Sequence, residues 1–199
     1  MPFSQVEHRE RGPVGPVTLA KQEHARRPTS LQVSPDTLII GLGNEYRGDD
    51  GIGLFLAHKL KEKNLPDTII EIYRGEGTGL MALWKQYSSV FLLDALCAGS
   101  TPGKIYRFDV NLHSLPPSIF NPSTHTFNVA ETVRLAKALN LLPAHLIIYG
   151  IEGKDFKMGD GISSVVKAAA RQVIERVLED INDIRTGYNP LQGPPFAQP

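Results

Sequence analysis

Leu38-Ile39-Ile40-Gly41-Leu42 is a short apolar, β-branched run ending in glycines, the pattern of a central strand buried on both faces. Beyond a loop, Ile52, Phe55, Leu56 and Leu60 recur at helical spacing, so the opening unit reads strand, loop, helix. A second strand follows at Thr68 to Tyr73, then a Gly-rich loop and a helix over Leu80 to Gln86. The third strand is Val90-Phe91-Leu92-Leu93. Alternation of this kind argues for a parallel α/β sheet. Only Asp94 to Pro102 separates this strand from Lys104-Ile105-Tyr106-Arg107-Phe108, too little chain for a parallel crossover, so the fourth strand is expected to run antiparallel. Asp109 to Thr124 carries Pro116, Pro117 and Pro122 without periodicity and reads as a long loop. A helix near Phe127 to Leu139 turns Val129, Val133 and Ala136 inward, and Leu146-Ile147-Ile148-Tyr149 is the fifth strand. The last helix is the clearest: Ile162, Val165, Val166, Ala169, Val173, Val177 and Ile181 trace one face.

The expected fold is therefore an α/β three-layer sandwich: a mostly parallel, five-stranded twisted sheet with one antiparallel strand and helices on both faces. It occupies residues 37–185, a usual size for one domain. The flanking segments read differently. Residues 1–36 carry Pro2, Pro13, Pro16, Pro28 and Pro35 among scattered charges of both signs, and residues 186–199 carry Pro190, Pro194, Pro195 and Pro199 with no charged residue. Both are expected to stay unfolded. The N-terminal segment holds no apolar run suited to a secretory signal or a transmembrane helix. Across all 199 residues, 21 Lys and Arg balance 21 Asp and Glu. No global field then draws in nucleic acid or an anionic membrane, which excludes a dedicated nucleic-acid binder. The single cysteine, Cys97, rules out an intramolecular disulfide and a Cys-rich metal cage, and fits a cytoplasmic protein.

The chemistry concentrates in Gly41-Leu42-Gly43-Asn44-Glu45-Tyr46-Arg47-Gly48-Asp49-Asp50-Gly51-Ile52-Gly53. Glycines after a first buried strand suggest dinucleotide binding. The spacing argues against it, because Gly48 rather than a residue three after Gly43 supplies the next glycine. The charge argues more strongly, since Asp49 and Asp50 would repel a pyrophosphate at the helix N-terminus. Asp49 can cap the helix, which leaves Asp50 to point across the strand ends. Asp94 ends the apolar third strand, and in an open α/β sheet ligands bind beyond the carboxyl ends at the switch point, where strands one and three are expected to be neighbours. His125, before a helix, can return to the same crevice, because the sixteen residues from Asp109 to Thr124 span up to about 3.3 Å each. Two carboxylates and one imidazole make an open, incomplete ligand set for a borderline divalent cation. His-Glu-x-x-His and Gly-x-Ser-x-Gly are both absent from the sequence, which removes support for zinc protease and serine hydrolase readings.

These residues together resemble the hydrogenase maturation proteases, endopeptidases that trim the C-terminal extension of nickel-iron hydrogenase large subunits. The matching features are Gly41-Leu42-Gly43-Asn44, Asp49-Asp50-Gly51-Ile52-Gly53, the Gly75 to Gly79 loop, Leu93-Asp94-Ala95 and His125, in order from about Leu38 to Ile181. The resemblance implies that Asp50, Asp94 and His125 contact a divalent metal, that Asp50 and Asp94 are catalytic, and that the metal is nickel carried by the precursor rather than a resident cofactor. It implies the large-subunit precursor as partner. The loop Arg74-Gly75-Glu76-Gly77-Thr78-Gly79 departs from the family, several of whose members carry an acidic residue before the glycines and a glycine at Glu76. Two other readings stand beside the protease: a non-catalytic metal-sensing chaperone of hydrogenase assembly, and a nucleotide-binding α/β enzyme.

Overall fold

The computed structural model describes residues 36–74, 77–113, 115, 129–159 and 161–187. The segment before Asp36, the segment after Gly187, most of the loop from Asp109 to Thr124, and His125 lie outside the described residues. Within them the order is β1 (Thr37–Leu42), a 3-10 turn (Gly48–Gly51), α1 (Ile52–Lys61), β2 (Thr68–Tyr73), α2 (Gly77–Trp84), β3 (Ser89–Leu96), β4 (Ile105–Asp109), α3 (Val129–Ala138), β5 (His145–Glu152) and α4 (Ser164–Thr186). The strands form one sheet in the order β2-β1-β3-β5-β4. β2, β1, β3 and β5 run parallel, and β4 pairs antiparallel with β5. The expected α/β architecture with one antiparallel strand is the one observed.

Strand alternation sorts the core into two faces. Leu38, Ile40, Val90, Leu92, Leu96, Leu146 and Ile148 pack with Leu80 and Trp84 of α2 and Ala130, Val133 and Ala136 of α3. Their neighbours Ile39, Phe91, Leu93, Ala95, Ile147, Tyr149 and Ile151 pack with Ile52, Leu56 and Leu60 of α1 and Val166, Ala170, Val173, Val177 and Ile181 of α4. The β1-α1-β2 unit goes to one side of β1 and the return through α2 places β3 on the other. The switch point therefore lies between β1 and β3, and the loops after both strands open at the same end of the sheet. No helix among the described residues is long and apolar enough to cross a membrane.

Several local expectations change. α2 begins at Gly77, inside the stretch read as a Gly-rich loop, and ends at Trp84, and Ile162 lies before α4 rather than on it. β3 does not stop at Leu93: it pairs with β5 as far as Leu96 opposite Glu152, so Asp94 lies inside the strand rather than at its end. Val165 is 40% exposed instead of core-facing, because adjacent helical positions are about 100° apart and Val166 already takes the inward direction. α4 continues through Thr186, assigned from sequence to the tail. It stops at Gly187, whose φ of 70° makes a left-handed C-cap.

Candidate active site

Everything at this end of the sheet depends on how closely α1 approaches the strands. A Cβ on Gly53 would stand 2.2 Å from the Leu93 carbonyl oxygen and 2.3 Å from that of Leu42, so only glycine lets the helix start lie across β1 and β3. Gly43 leaves β1 at φ 118°, and a Cβ there would meet the Asp50 carbonyl oxygen at 1.9 Å. The intervening turn is closed by its own backbone. Asn44 N–H donates to the Asp50 carbonyl (3.3 Å), Arg47 N–H to the Asn44 carbonyl and Asp50 N–H to the Arg47 carbonyl (both 3.1 Å). Asn44 Oδ1 accepts the Tyr46 N–H at 2.9 Å. The glycines thus serve close backbone packing and a tight turn.

That turn delivers Asp50, which is buried, against β3. Asp94 belongs to the sheet face of Leu92 and Leu96, the side covered by α2 and α3. Its outer edge reaches the surface while protein surrounds the rest, and Ala95 N–H donates to its Oδ1 at 2.8 Å. Burial, and next the nearby charge of Asp50, push the Asp94 carboxyl up to about 8, against the lowering effect of the Ala95 amide. Burial also raises Asp50 from the usual carboxylate range, opposed by the Arg47 guanidinium and the Asn44 amide. The charge of Asp50 thus reaches Asp94, and both carboxylates lie at the end of the sheet where β1 and β3 open. Near neutral pH the pair retains a proton, so it can donate and accept protons, and a cation between the two would displace that proton.

Of the residues named from the sequence, Asp50 and Asp94 lie within electrostatic reach of each other. The third donor so named, His125, lies outside the described residues. Among the described residues no group of three His, Cys, Asp or Glu side chains is placed to hold a metal ion. The helix α3, which begins four residues after His125, packs on the face to which Asp94 belongs.

Two buried carboxylates at this end were misread or missed. Asp49, expected to cap its own helix, makes no cap there. Its Oδ2 accepts Lys154 N–H (2.7 Å), Asp155 N–H (3.0 Å) and the Ser163 hydroxyl (3.0 Å), and its Oδ1 accepts Ser163 N–H (2.6 Å). Glu152, at the end of β5, accepts the N–H groups of Ala98, Gly99 and Ser100 at 2.9 to 3.1 Å and orders the β3-β4 loop just past Asp94. Their partners lie 52 to 114 residues away in the chain, beyond any local motif. At the rim, Arg74 pairs with Glu45 at 2.7 Å, joining the end of β2 to the glycine turn.

A family model described as hydrogenase maturation protease matches residues 56–180. Over 155 residues the chain is 34% identical to a protein of Methanocaldococcus jannaschii classed with the hydrogenase maturation proteases, covering 73% of this chain and 96% of the relative. Among solved structures, the hydrogenase maturating endopeptidase HybD from Escherichia coli superposes with a TM-score of 0.59 at 18% identity, covering 74% of this chain and 92% of HybD. The NiFe hydrogenase maturation protease HycI from Thermococcus kodakarensis gives 0.56 at 24% identity, covering 74% and 93%. The structural likenesses speak for the fold, while the family model and the archaeal relative decide membership. With the glycine turn, the switch-point crevice and the paired carboxylates, they place this chain in the hydrogenase maturation protease family.

Proposed function

We propose that the protein is an endopeptidase that removes the C-terminal extension of a nickel-iron hydrogenase large-subunit precursor after nickel insertion, acting in the cytoplasm. The observation that supports this reading is a carboxyl raised by burial and by a nearby carboxylate, Asp94 beside Asp50, at the β1-β3 switch point of a chain belonging to this family. Burial and the charge of Asp50 disfavour an ionised Asp94, and Arg47 offsets only part of the burial of Asp50, so a positive ion brought from outside would stabilise both carboxylates in their ionised form. Nickel held in the precursor supplies that ion, with His125 as the third donor from this chain. It is part of the substrate, and the protein inspects it.

With both carboxylates facing the ion, their proton leaves to solvent. An ionised oxygen of Asp50 or Asp94 then takes a proton from the water as the water oxygen bonds the scissile carbonyl carbon, and hands that proton to the amide nitrogen as the C–N bond breaks. The precursor's nickel places the peptide and polarises it. Cleavage then depends on nickel without the protein owning a metal. Asp50→Asn, Asp94→Asn and His125→Ala are expected to slow cleavage of a nickel-loaded precursor by about 100-fold or more, the range for loss of a proton-transferring group. Cleavage at the parental rate by Asp94→Asn would remove that residue from the mechanism.

A further inference from the structure

Asp49 stands beside Asp50 in sequence but has no part in the crevice chemistry described above, and its environment is unusual. It is fully buried, and both carboxylate oxygens are committed to the segment between β5 and α4 through Lys154, Asp155 and Ser163. Its own N–H donates to the Asp155 carbonyl at 2.8 Å, so main chain and side chain grip the same loop. A second tie lies alongside, where Gly159 N–H donates to the Tyr46 carbonyl at 3.0 Å. Neither the 3-10 turn nor α1 carries a side-chain cap of its own. A charged acceptor taking four hydrogen bonds inside protein is among the stronger polar anchors available to a fold, and a neutral replacement leaves donors facing donors.

We propose that Asp49 is a positioning residue: by locking the glycine turn to the β5-α4 loop it holds Asp50 opposite Asp94. This rests on the cleavage reading above, and goes beyond it by assigning the second aspartate of the pair. Asp49 touches neither the ion nor the peptide. It acts through the backbone of the adjacent residue, whose N–H and carbonyl are both tied into the same turn.

The anchor can be loosened from either end. Asp49→Asn keeps the shape and turns an amide toward N–H donors. Ser163→Pro removes the hydroxyl and the N–H, two of the four donors, at a residue whose φ of −62° already suits proline, and leaves every crevice residue in place. Hydrogen exchange by mass spectrometry is followed over residues 43–52 and 153–163, with β3 and α4 as internal references, beside kcat and KM for nickel-loaded precursor. Both variants are expected to speed exchange in those two segments by about tenfold or more while the references stay protected. They are expected to lower kcat about tenfold or more with KM within about twofold, and the double variant should be no worse than Asp49→Asn alone. Unchanged exchange in folded variants overturns the anchoring. Faster local exchange with parental kcat overturns the positioning role. If the parent itself fails to cleave, the protease reading falls, and the exchange result still decides whether Asp49 fixes the turn. If Asp49→Asn does not fold, Ser163→Pro carries the same comparison.

Discussion

Asp94 is where single-residue chemistry and stability meet. Its carboxyl sits near 8 in the folded chain against an ordinary value of 3.8. Between those values the folded protein keeps a proton that the unfolded chain has released, so folding stability falls as pH rises through the window. Asp94→Asn cannot ionise and escapes that loss. With chelator present, thermal melts should show the variant gaining Tm relative to the parent as pH rises from 4 to 8. A difference independent of pH would contradict the assigned proton. This residue was legible in the sequence because an acid interrupting an apolar strand needs no partner to be noticed. The role of Asp49 was not legible. Its neighbours suggested a helix cap, and its real donors, Lys154, Asp155 and Ser163, come from the far side of the chain. Glu152 escaped for the same reason.

Among elements, the junction of α1 with the sheet is the tightest. Alanine in place of Gly53 gains about 1 kcal/mol in helix propensity, but its Cβ would meet two backbone carbonyls that cannot move aside. Lifting the helix also disturbs Ile52, Leu56 and Leu60 in the core. The clash wins: Gly53→Ala is expected to destabilise by about 2–3 kcal/mol in denaturant titration and to slow precursor cleavage by more than the unfolded fraction explains. On the face opposite Asp94, α4 is tied to edge strand β4 by Arg107, which reaches both carboxylate oxygens of Asp180 at 2.9 and 3.1 Å. Tyr149 donates to the same group at 2.7 Å. Asp180→Ala strands a guanidinium and a phenol, and should cost about 3 kcal/mol while cleavage per folded molecule stays parental. At this scale the sequence pattern located each strand and α-helix among the described residues, because each carries its own periodicity. Its errors lay in where elements end and which way single residues face. β3 runs past Asp94 only because β5 lies beside it as far as Glu152. Val165 faces outward because Val166 takes the core-facing direction.

At the scale of the whole molecule, the strand order turns separate motifs into one site. Reversal between β1 and β3 brings the glycine turn and the apolar strand that carries Asp94 to one end of the sheet, where the Glu152 carboxylate at the end of β5 and the Lys154 amide just past it brace the two loops. Among the described residues no group of three His, Cys, Asp or Glu side chains completes a metal site around these acids, and nickel carried by the precursor is proposed to complete it. The most direct test of this account is intact-mass spectrometry of a hydrogenase large-subunit precursor from the same organism, incubated with this protein in nickel-loaded and nickel-free forms. The account predicts loss of one discrete C-terminal peptide from the nickel-loaded precursor alone. Equal cleavage of both forms would contradict the gating by nickel, and an unchanged mass in both would contradict the protease reading.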